Sequence, residues 1–252
     1  MTARPSRPVA KAASKTATPK TATPKTTAPK TATPKKATSR EEILDAAEEL
    51  FALHGFEGVG MRAIAEGAGV AQALLHYHFG TKERLFEAMF TRRSSAINRI
   101  RLARLDAMQA RGSPGLEEIV EALLRPAVEA GHDPDRGGGR FASLILTTSA
   151  SAAPWQRELI ASSYDPIARR YIAALREALP GLDPAGATWG YLFVIGAALT
   201  QMAPTGRADR LSDRATSDRD AEAMVAHAVV FAAAGLRALA ATPPSPDNQP
   251  DP

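Results

Sequence analysis

The apolar residues of this chain recur every three to four positions from residue 39 to residue 241. This spacing places them along one side of an α-helix, whereas a strand would need an alternation of apolar and polar residues that no stretch of useful length shows. Short segments rich in glycine and proline, such as GSPG and LPGLDP, separate the periodic stretches. The sequence therefore predicts an all-α fold built from helices of unequal length.

Capping residues indicate where several of these helices begin and end. Ser39 and Glu42 form a capping box ahead of the first apolar stripe, and Gly55 ends that helix. Thr81 is a suitable N-cap for a long fourth helix, and Pro166 is expected to bend a later one. We predict helices over residues 39–54, 61–67, 71–78, 82–111, 116–130, 140–151, 155–179, 185–203 and 217–241.

Charge divides the chain at residue 38. Residues 1–38 hold nine Lys or Arg and no acid, in repeats such as KTATP, whereas the remaining residues carry 22 basic and 27 acidic side chains. Because proline interrupts these repeats regularly and no large apolar side chain recurs in them, we predict that this basic tail is disordered, as is the segment 242–252. The tail is either a solubilising leader or a polycation that binds nucleic acid through its phosphates.

The composition excludes several classes of site and location. The chain has no cysteine, so it cannot form disulfides or thiolate zinc sites. Its first residues lack the apolar core of a secretory signal, and its longest apolar run, from Trp189 to Ala203, is shorter than a bilayer span. These features predict a cytoplasmic protein without a membrane partner.

Two histidines and two other rings stand side by side in His76-Tyr77-His78-Phe79. Residues two positions apart lie on opposite faces of a helix, so His76 and His78 cannot bind one metal ion while the helix persists. The other histidines are scattered, and the sequence has neither an HExxH motif nor a defensible Ser/His/Asp arrangement. We therefore predict no metal site, no cofactor and no catalytic residue, and we do not expect an enzyme.

The second and third predicted helices are short and are joined by the tight turn Ala68-Gly69-Val70. Two short helices joined in this way, with a bracing helix on either side, form a helix-turn-helix, whose second helix fits the major groove of DNA. Residues 39–86 resemble the DNA-binding domain of the TetR family of transcriptional regulators, through the stretches ILDAAEELFALHGFEGVGMRAIAEGAGVA and LLHYHFGTKERLF. The resemblance continues in architecture, but not in motif, into the remaining helices.

The resemblance implies roles for individual positions of this sequence. Leu75 and Phe79 match core positions behind the recognition helix. Gln72 and Ala73 match positions that face bases, and a glutamine amide can bond to N6 and N7 of adenine. The predicted DNA-binding residues are Arg62, Gln72, Ala73, His76, Tyr77, His78 and Lys82.

The other positions in this set are expected to meet the sugar-phosphate backbone or a base. Arg62 matches a position that reaches a base or a phosphate, and Lys82 matches a phosphate-binding lysine beside a helix N-terminus. Tyr77 and His78 match positions that contact the DNA backbone. His76 is also expected to contact DNA, whereas packing against the first or fourth helix is an equal alternative for His78.

The charge of the helix-turn-helix region itself is unfavourable for DNA. Residues 39–90 hold four basic and nine acidic side chains, so we expect the basic tail to supply the long-range attraction. A row of arginines on the fourth helix either assists the tail or forms a solvated helix face; its members are Arg92, Arg93, Arg99, Arg101 and Arg104.

The helices after residue 86 are predicted to form a second domain. The last two long helices carry apolar stripes; the resemblance implies that they form a four-helix dimer interface, although ordinary core packing explains the stripes equally well. Family members usually bind a small molecule among the central helices, and this region loosely resembles regulators that sense fatty acids or acyl derivatives. The predicted pocket residues, each of which core packing also explains, are Phe141, Leu144, Ile145, Tyr171, Trp189 and Phe193.

The sequence thus predicts four regions: a basic tail (1–38), a helix-turn-helix domain (39–86), a helical ligand-binding and dimerisation domain (87–241) and a C-terminal segment (242–252). The predicted function is a ligand-responsive repressor that binds a palindromic DNA operator as a homodimer, is associated with the bacterial nucleoid, and is released by a small hydrophobic effector. The alternative is a histone-like architectural protein in which the basic tail dominates DNA binding.

Overall fold

A computed structural model describes residues 40–133 and 137–241, and these ranges consist of α-helices joined by turns, with no strand. The predictions for the tail, for the Ser39 cap and for the C-terminal segment lie outside the described residues. The helices are α1 (Arg40–His54), α2 (Met61–Gly67), α3 (Gln72–Phe79), α4 (Lys82–Arg111), α5 (Leu116–His132), α6 (Arg140–Ser149), α7 (Pro154–Ala178), α8 (Pro184–Gln201), α9 (Arg207–Leu211) and α10 (Ala221–Ala241).

The structure confirms the all-α fold and the order of the predicted helices, with one addition. The short helix α9 lies between the predicted helices 185–203 and 217–241, and the last helix begins at residue 221 rather than 217. Both differences follow from acidic caps. The Asp218 carboxylate accepts bonds from the backbone N–H groups of Thr205, Gly206 and Arg207 at 3.0–3.1 Å, and Asp220 Oδ1 accepts from Ala223 N at 3.0 Å.

Helices α1, α2 and α3 form an N-terminal three-helix unit around a shared core. The positive φ of Gly69, +68°, lets the chain turn sharply between α2 and α3. Phe51 and Leu75 are buried in this core, and the Phe86 ring of α4 lies edge-on to Phe51 at a centroid distance of 5.1 Å. Thr81 caps α4 as predicted, because its Oγ1 accepts from Arg84 N at 3.3 Å.

The core of this unit continues into α6 and α7 without a break. Phe90 of α4 meets Phe141 of α6 at a ring distance of 5.2 Å. Trp155, in the first turn of α7, packs on Phe56 of the α1–α2 turn at 4.9 Å and on Phe86 at 5.7 Å. The three-helix unit is therefore held by α4 and by the beginning of α7.

A cluster of charges joins α1 to α4 on the other side. Arg92 donates to Glu41 Oε2 at 2.8 Å and to Asp45 Oδ1 at 2.7 Å, and Arg93 Nε lies 2.9 Å from Glu48 Oε2. The Glu48 side chain is only 4% exposed, so burial raises the pKa of its carboxyl, and the two arginines oppose that shift. Two α4 arginines that were considered as DNA contacts thus neutralise acids of α1.

The other α4 arginines are not a uniform solvated face either. Arg101 is buried, Arg104 lies 3.6 Å from Glu129 of α5, and Arg99 is exposed. Sequence spacing alone did not separate these positions, because α4 is covered on different faces by α1, α5 and α7 along its length.

The C-terminal half is a bundle in which α5, α8 and α10 pack together. Small residues allow α8 and α10 to approach closely: a Cβ on Gly190 of α8 would collide with Leu236 of α10. Among the described residues, α10 is the helix whose length and apolar composition would allow it to cross a membrane. Its contacts with α5 and α8 explain that composition as core packing.

The buried carboxylate of Glu48 should be the part of the charge cluster on which stability depends most. We expect Glu48→Ala to lower the free energy of unfolding by about 3–5 kcal/mol, because the largely buried Arg93 loses its carboxylate partner, whereas Arg92 keeps Glu41 and Asp45. Glu49→Ala is the matched control, since Glu49 is 58% exposed and lies 3.8 Å from Arg140; its cost should stay below about 1 kcal/mol. Urea unfolding of both variants measures the difference, and equal costs would contradict the assignment.

Candidate nucleic-acid interface

Helix α3 presents one buried and one open face. Leu75 and Phe79, with 0% and 5% of their surfaces exposed, anchor it to the core as predicted. Gln72, Ala73, His76 and Tyr77 form the open face, and His78 is exposed on the other side of the helix. Because two apolar anchors one turn apart fix the helix, its polar face is held rigidly toward the outside.

Gln72 and His76 form a small hydrogen-bonded pair at the leading end of α3. His76 Nδ1 lies 2.9 Å from the carbonyl oxygen of Gly80, which can only accept, so Nδ1 carries the proton and donates. His76 Nε2 is then an acceptor for the Gln72 amide nitrogen at 3.3 Å. This arrangement leaves the Gln72 Oε1 and one amide N–H free to face another molecule.

Tyr77 and His78 are exposed toward the end of α3. The Tyr77 side chain is 82% exposed, and its ring meets the His78 ring edge-on at 5.3 Å. His78 also lies 6.1 Å from the Phe79 ring. Both side chains are therefore accessible, and ring contacts restrict their motion.

The two cationic residues predicted to bind DNA, Arg62 and Lys82, lie beside α3 and differ in how exposed their side chains are. Arg62 is on the exposed side of α2, where its Nε donates to Glu66 Oε1 at 2.9 Å. Lys82 Nζ donates to the Phe56 carbonyl at 2.9 Å and sits over the Phe56 ring at 4.1 Å. Its side chain is 21% exposed, so the ammonium is fixed near the start of α4.

The second candidate site is a cavity of about 490 Å³ enclosed mainly by α4, α7 and α8. Its wall is largely apolar, as in small-molecule sites of this size. Of the six predicted pocket residues, Ile145 lies on the wall. Side chains that the sequence analysis did not select also line it, including Arg101, Tyr164 and Tyr191.

The other five predicted pocket residues lie elsewhere, which corrects that part of the prediction. Phe141 and Leu144 are buried in the core shared with the three-helix unit. Tyr171 is fully buried, and its hydroxyl donates to the Arg101 carbonyl at 2.9 Å. Trp189 and Phe193 stack on each other at 6.0 Å and are 58% and 63% exposed, so they point away from the cavity. Helical spacing identified the apolar faces but not which neighbour each face meets.

In the described ranges, no group of three or more histidine and acidic side chains is arranged to hold a metal ion. The chemistry that these two sites offer is recognition: hydrogen bonding at α3 and enclosure of an apolar body in the cavity.

Both halves of the chain match families of known proteins. Residues 43–89 match the family described as bacterial regulatory proteins, tetR family, and residues 121–235 match the tetracyclin repressor-like C-terminal domain. The transcriptional regulator LmrA of Bacillus subtilis is 33% identical over 142 residues, which cover 55% of this chain and 72% of LmrA. The transcriptional repressor AcnR of Corynebacterium efficiens is 35% identical over 101 residues, 39% of this chain. The chain spans less than half of the length of AcnR, 43%.

The fold comparison agrees with these matches. The crystal structure of the transcriptional regulator FadR from Bacillus subtilis, in complex with stearoyl-CoA, has a TM-score of 0.60 at 15% identity and covers 78% of this chain and 99% of FadR. At that identity the likeness concerns the fold. With the helix-turn-helix geometry, the two family matches and the extent of the LmrA match, the chain belongs to the TetR family of DNA-binding bacterial transcriptional regulators.

Proposed function

We propose that this regulator is a repressor that binds a palindromic operator as a homodimer and is released by a small hydrophobic effector. The observation that carries the proposal is the open polar face of α3, held outward by the buried Leu75 and Phe79. A helix fixed in this way can enter a major groove with its N-terminal side chains toward the bases. In this proposal the predicted domain 39–86 binds DNA, and the predicted domain 87–241 binds the effector and controls DNA binding.

Gln72 is the residue proposed to read a base. The free Oε1 and amide N–H match the donor and acceptor of an adenine in the major groove, and the bond to His76 holds the amide in position. Ala73 beside it would meet a thymine methyl or allow close approach. Tyr77, His78 and Lys82 are proposed to contact the sugar-phosphate backbone, which positions the helix without specifying sequence.

The Arg62 side chain is proposed to reach DNA by exchanging its partner. It is bound to an exposed carboxylate of Glu66, and such surface pairs contribute little, so a phosphate or guanine can replace the carboxylate. His76 is proposed to act through Gln72 and by direct contact at the same edge of α3.

Replacing Gln72 by alanine should affect specific binding only. We expect Gln72→Ala to weaken binding to the operator by about 1–3 kcal/mol and to leave binding to unrelated DNA unchanged, because the amide contacts a base rather than a phosphate. Fluorescence anisotropy with operator and scrambled duplexes measures both affinities. The control is Gln109→Ala on α4, an exposed glutamine far along the helix from α3; equal losses on both duplexes would exclude base recognition by Gln72.

The proposed dimer rests on an apolar surface formed by α8 and α10. Trp189, Phe193, Val230 and Phe231 are all more than half exposed, although each is large and apolar. An open apolar groove of about 310 Å³ lies between the two helices and includes Phe193 and Phe231. A second copy of the same surface would cover it through a two-fold interface, and two recognition helices about 34–36 Å apart would then face successive major grooves.

A charge in that surface should separate the dimer. We expect Phe231→Asp to convert the dimer to a monomer, because it would bury an unpaired carboxylate at the centre of the interface. Leu53→Asp is the matched control, since Leu53 is similarly exposed, at 66%, but lies on α1. Sedimentation equilibrium distinguishes the two states; a monomeric wild-type protein or a dimeric Phe231→Asp variant would contradict the proposed interface.

The proposed effector site is the cavity between α4, α7 and α8. It is large enough for a small hydrophobic molecule such as a fatty acid or acyl derivative. FadR, which shares this fold, was crystallised with stearoyl-CoA. Since α4 both lines the cavity and binds α1 through Arg92 and Arg93, a ligand that shifts α4 would also shift the three-helix unit.

The basic tail is proposed to add sequence-independent attraction, which fits a protein that acts at DNA in the cytoplasm. The described surface near α3 offers few free cations, whereas residues 1–38 carry nine. If the tail dominated binding, the protein would behave as the histone-like alternative and cover DNA without preference.

Removal of the tail tests this division of roles. Each tail cation that engages a phosphate should add roughly −0.9 to the slope of log affinity against log salt. Deleting residues 1–38 should flatten that slope and weaken operator and scrambled DNA equally. Anisotropy titrations across a salt series measure it. An unchanged slope would exclude tail contacts, and a full-length protein that binds operator and scrambled DNA equally well would favour the histone-like alternative.

A further inference from the structure

One guanidinium lies inside the second domain without a carboxylate beside it. Arg101 of α4 is 5% exposed and forms part of the wall of the 490 Å³ cavity. No Asp or Glu in the described parts of the chain lies within ion-pair distance of it. A buried charge without an opposite charge is costly, and arginine does not lose its proton in proteins. Burial lowers the pKa of Arg101, and no carboxylate raises it.

The neighbours of Arg101 use only part of its hydrogen-bonding capacity. Its Nε donates to the Leu123 carbonyl of α5 at 2.8 Å, and Nη1 lies 3.5 Å from Asn98 Oδ1. A guanidinium has five N–H donors. The Nη groups at the cavity wall therefore have donors available for a bound molecule.

A second polar group on the same wall also lacks a partner. The Tyr164 hydroxyl of α7 is buried and has no hydrogen-bond partner, and Tyr164 lines the cavity together with Arg101. Burial raises the pKa of its phenol, so the group remains a hydroxyl that can donate. A buried polar group left unpaired is unusual and indicates a missing partner.

The other charged residues at the cavity do not supply that partner. Asp165 and Arg169 are exposed and lie 3.7 Å from each other, one turn apart on α7. They mark the side on which the cavity meets solvent. Arg101 and the Tyr164 hydroxyl are buried, and much of the remaining wall is aliphatic, with residues such as Ile145 and Ile172.

We propose that the cavity binds a molecule with an apolar body and a free carboxylate, and that the carboxylate is held by the Arg101 guanidinium and the Tyr164 hydroxyl. A carboxylate is planar and accepts two N–H bonds from a guanidinium side by side. It would also accept the hydroxyl proton of Tyr164. The apolar body would then fill the space toward the aliphatic wall. A neutral alcohol of the same chain lacks this charge, and a coenzyme A thioester carries its charges on phosphates and has no carboxylate at the end of the apolar body.

This inference rests on the proposed effector-controlled repressor and specifies its ligand. The two anchoring side chains belong to α4 and α7, the helices that hold the three-helix unit through Arg92 and Trp155. Asn98 already links them, since its Nδ2 donates to the Ser163 carbonyl of α7 at 2.8 Å. A carboxylate bound between Arg101 and Tyr164 would add a second link between α4 and α7, and it would thereby change the position of α4.

Calorimetry without DNA tests the binding step by itself. The full-length protein is titrated with sodium dodecanoate, dodecan-1-ol and dodecanoyl-CoA. We expect dodecanoate to bind roughly ten- to hundred-fold more tightly than dodecan-1-ol, because charge-assisted hydrogen bonds account for the difference. The same preference over the thioester is expected if the free carboxylate is recognised.

Variants assign the preference to the two side chains. Arg101→Met should abolish the difference between dodecanoate and dodecan-1-ol, Arg101→Lys should keep part of it, and Tyr164→Phe should reduce it several-fold. Arg170→Met is the matched control, because Arg170 lies on α7 but pairs with Asp106 at 2.6 Å outside the cavity. Circular dichroism verifies folding; if Arg101→Met does not fold, Tyr164→Phe and Arg101→Lys provide the test.

The possible results are distinct. No binding of dodecanoate, equal binding of acid and alcohol, tighter binding of the thioester, or an unchanged preference in Tyr164→Phe and in the folded Arg101 variants would each overturn the proposal. Operator binding is measured separately by anisotropy, with and without dodecanoate. Tight dodecanoate binding without release from DNA would support the carboxylate site and contradict the proposed effector control. Operator binding without any dodecanoate binding would contradict the carboxylate site and leave the proposed operator-binding regulator intact.

Discussion

The salt-bridge cluster between α1 and α4 is the interaction on which the rest of the structure depends. Arg92 and Arg93 neutralise Glu41, Asp45 and Glu48, so the acidic helix α1 is fixed against the first half of α4. The second half of α4 carries Arg101 into the cavity. One continuous helix of 30 residues makes both contacts. A movement of α4 at the cavity would therefore be transmitted to the three-helix unit.

The same cluster also reduces the positive charge that the protein can offer to DNA. Arginines that neutralise α1 are not available for phosphates, and Lys82 would have to exchange its bond to the Phe56 carbonyl for a phosphate contact. The face of α3 therefore offers hydrogen-bonding groups, such as the Gln72 amide, rather than free charge. Such groups distinguish bases at short range but provide little long-range attraction. This surface favours the proposal that the nine cations before residue 39 supply the long-range attraction.

Sequence reasoning succeeded where a local pattern determines the outcome. Leu75 and Phe79, one turn apart, predicted the buried face of α3, and Thr81 predicted the start of α4. It failed where the partner is distant in sequence. The aromatic stripe containing Trp189 and Phe193 is compatible with a cavity wall and with an outer surface. The local sequence does not indicate which face of α8 is covered by α10. Arg101 was one of five similar arginines, and only the packing of α5 and α7 separates it from the others.

The surroundings of Arg101 also include two helix turns that are disturbed by an internal proline. Proline lacks an N–H and disturbs the turn that precedes it. Pro126 of α5 and Pro166 of α7 each lie three residues after a carbonyl that accepts from α4: Leu123 from Arg101 and Ser163 from Asn98. The carbonyls that lose an N–H partner are those of Ala122 and Ser162. The α4 side chains bond to the next carbonyl at each of these turns, and Ala127 and Tyr164, beside them, line the cavity. A charge placed there for backbone contacts alone could be replaced by a neutral donor such as asparagine at lower desolvation cost. The guanidinium adds donors that face the cavity, and these are used fully only when an anion occupies it.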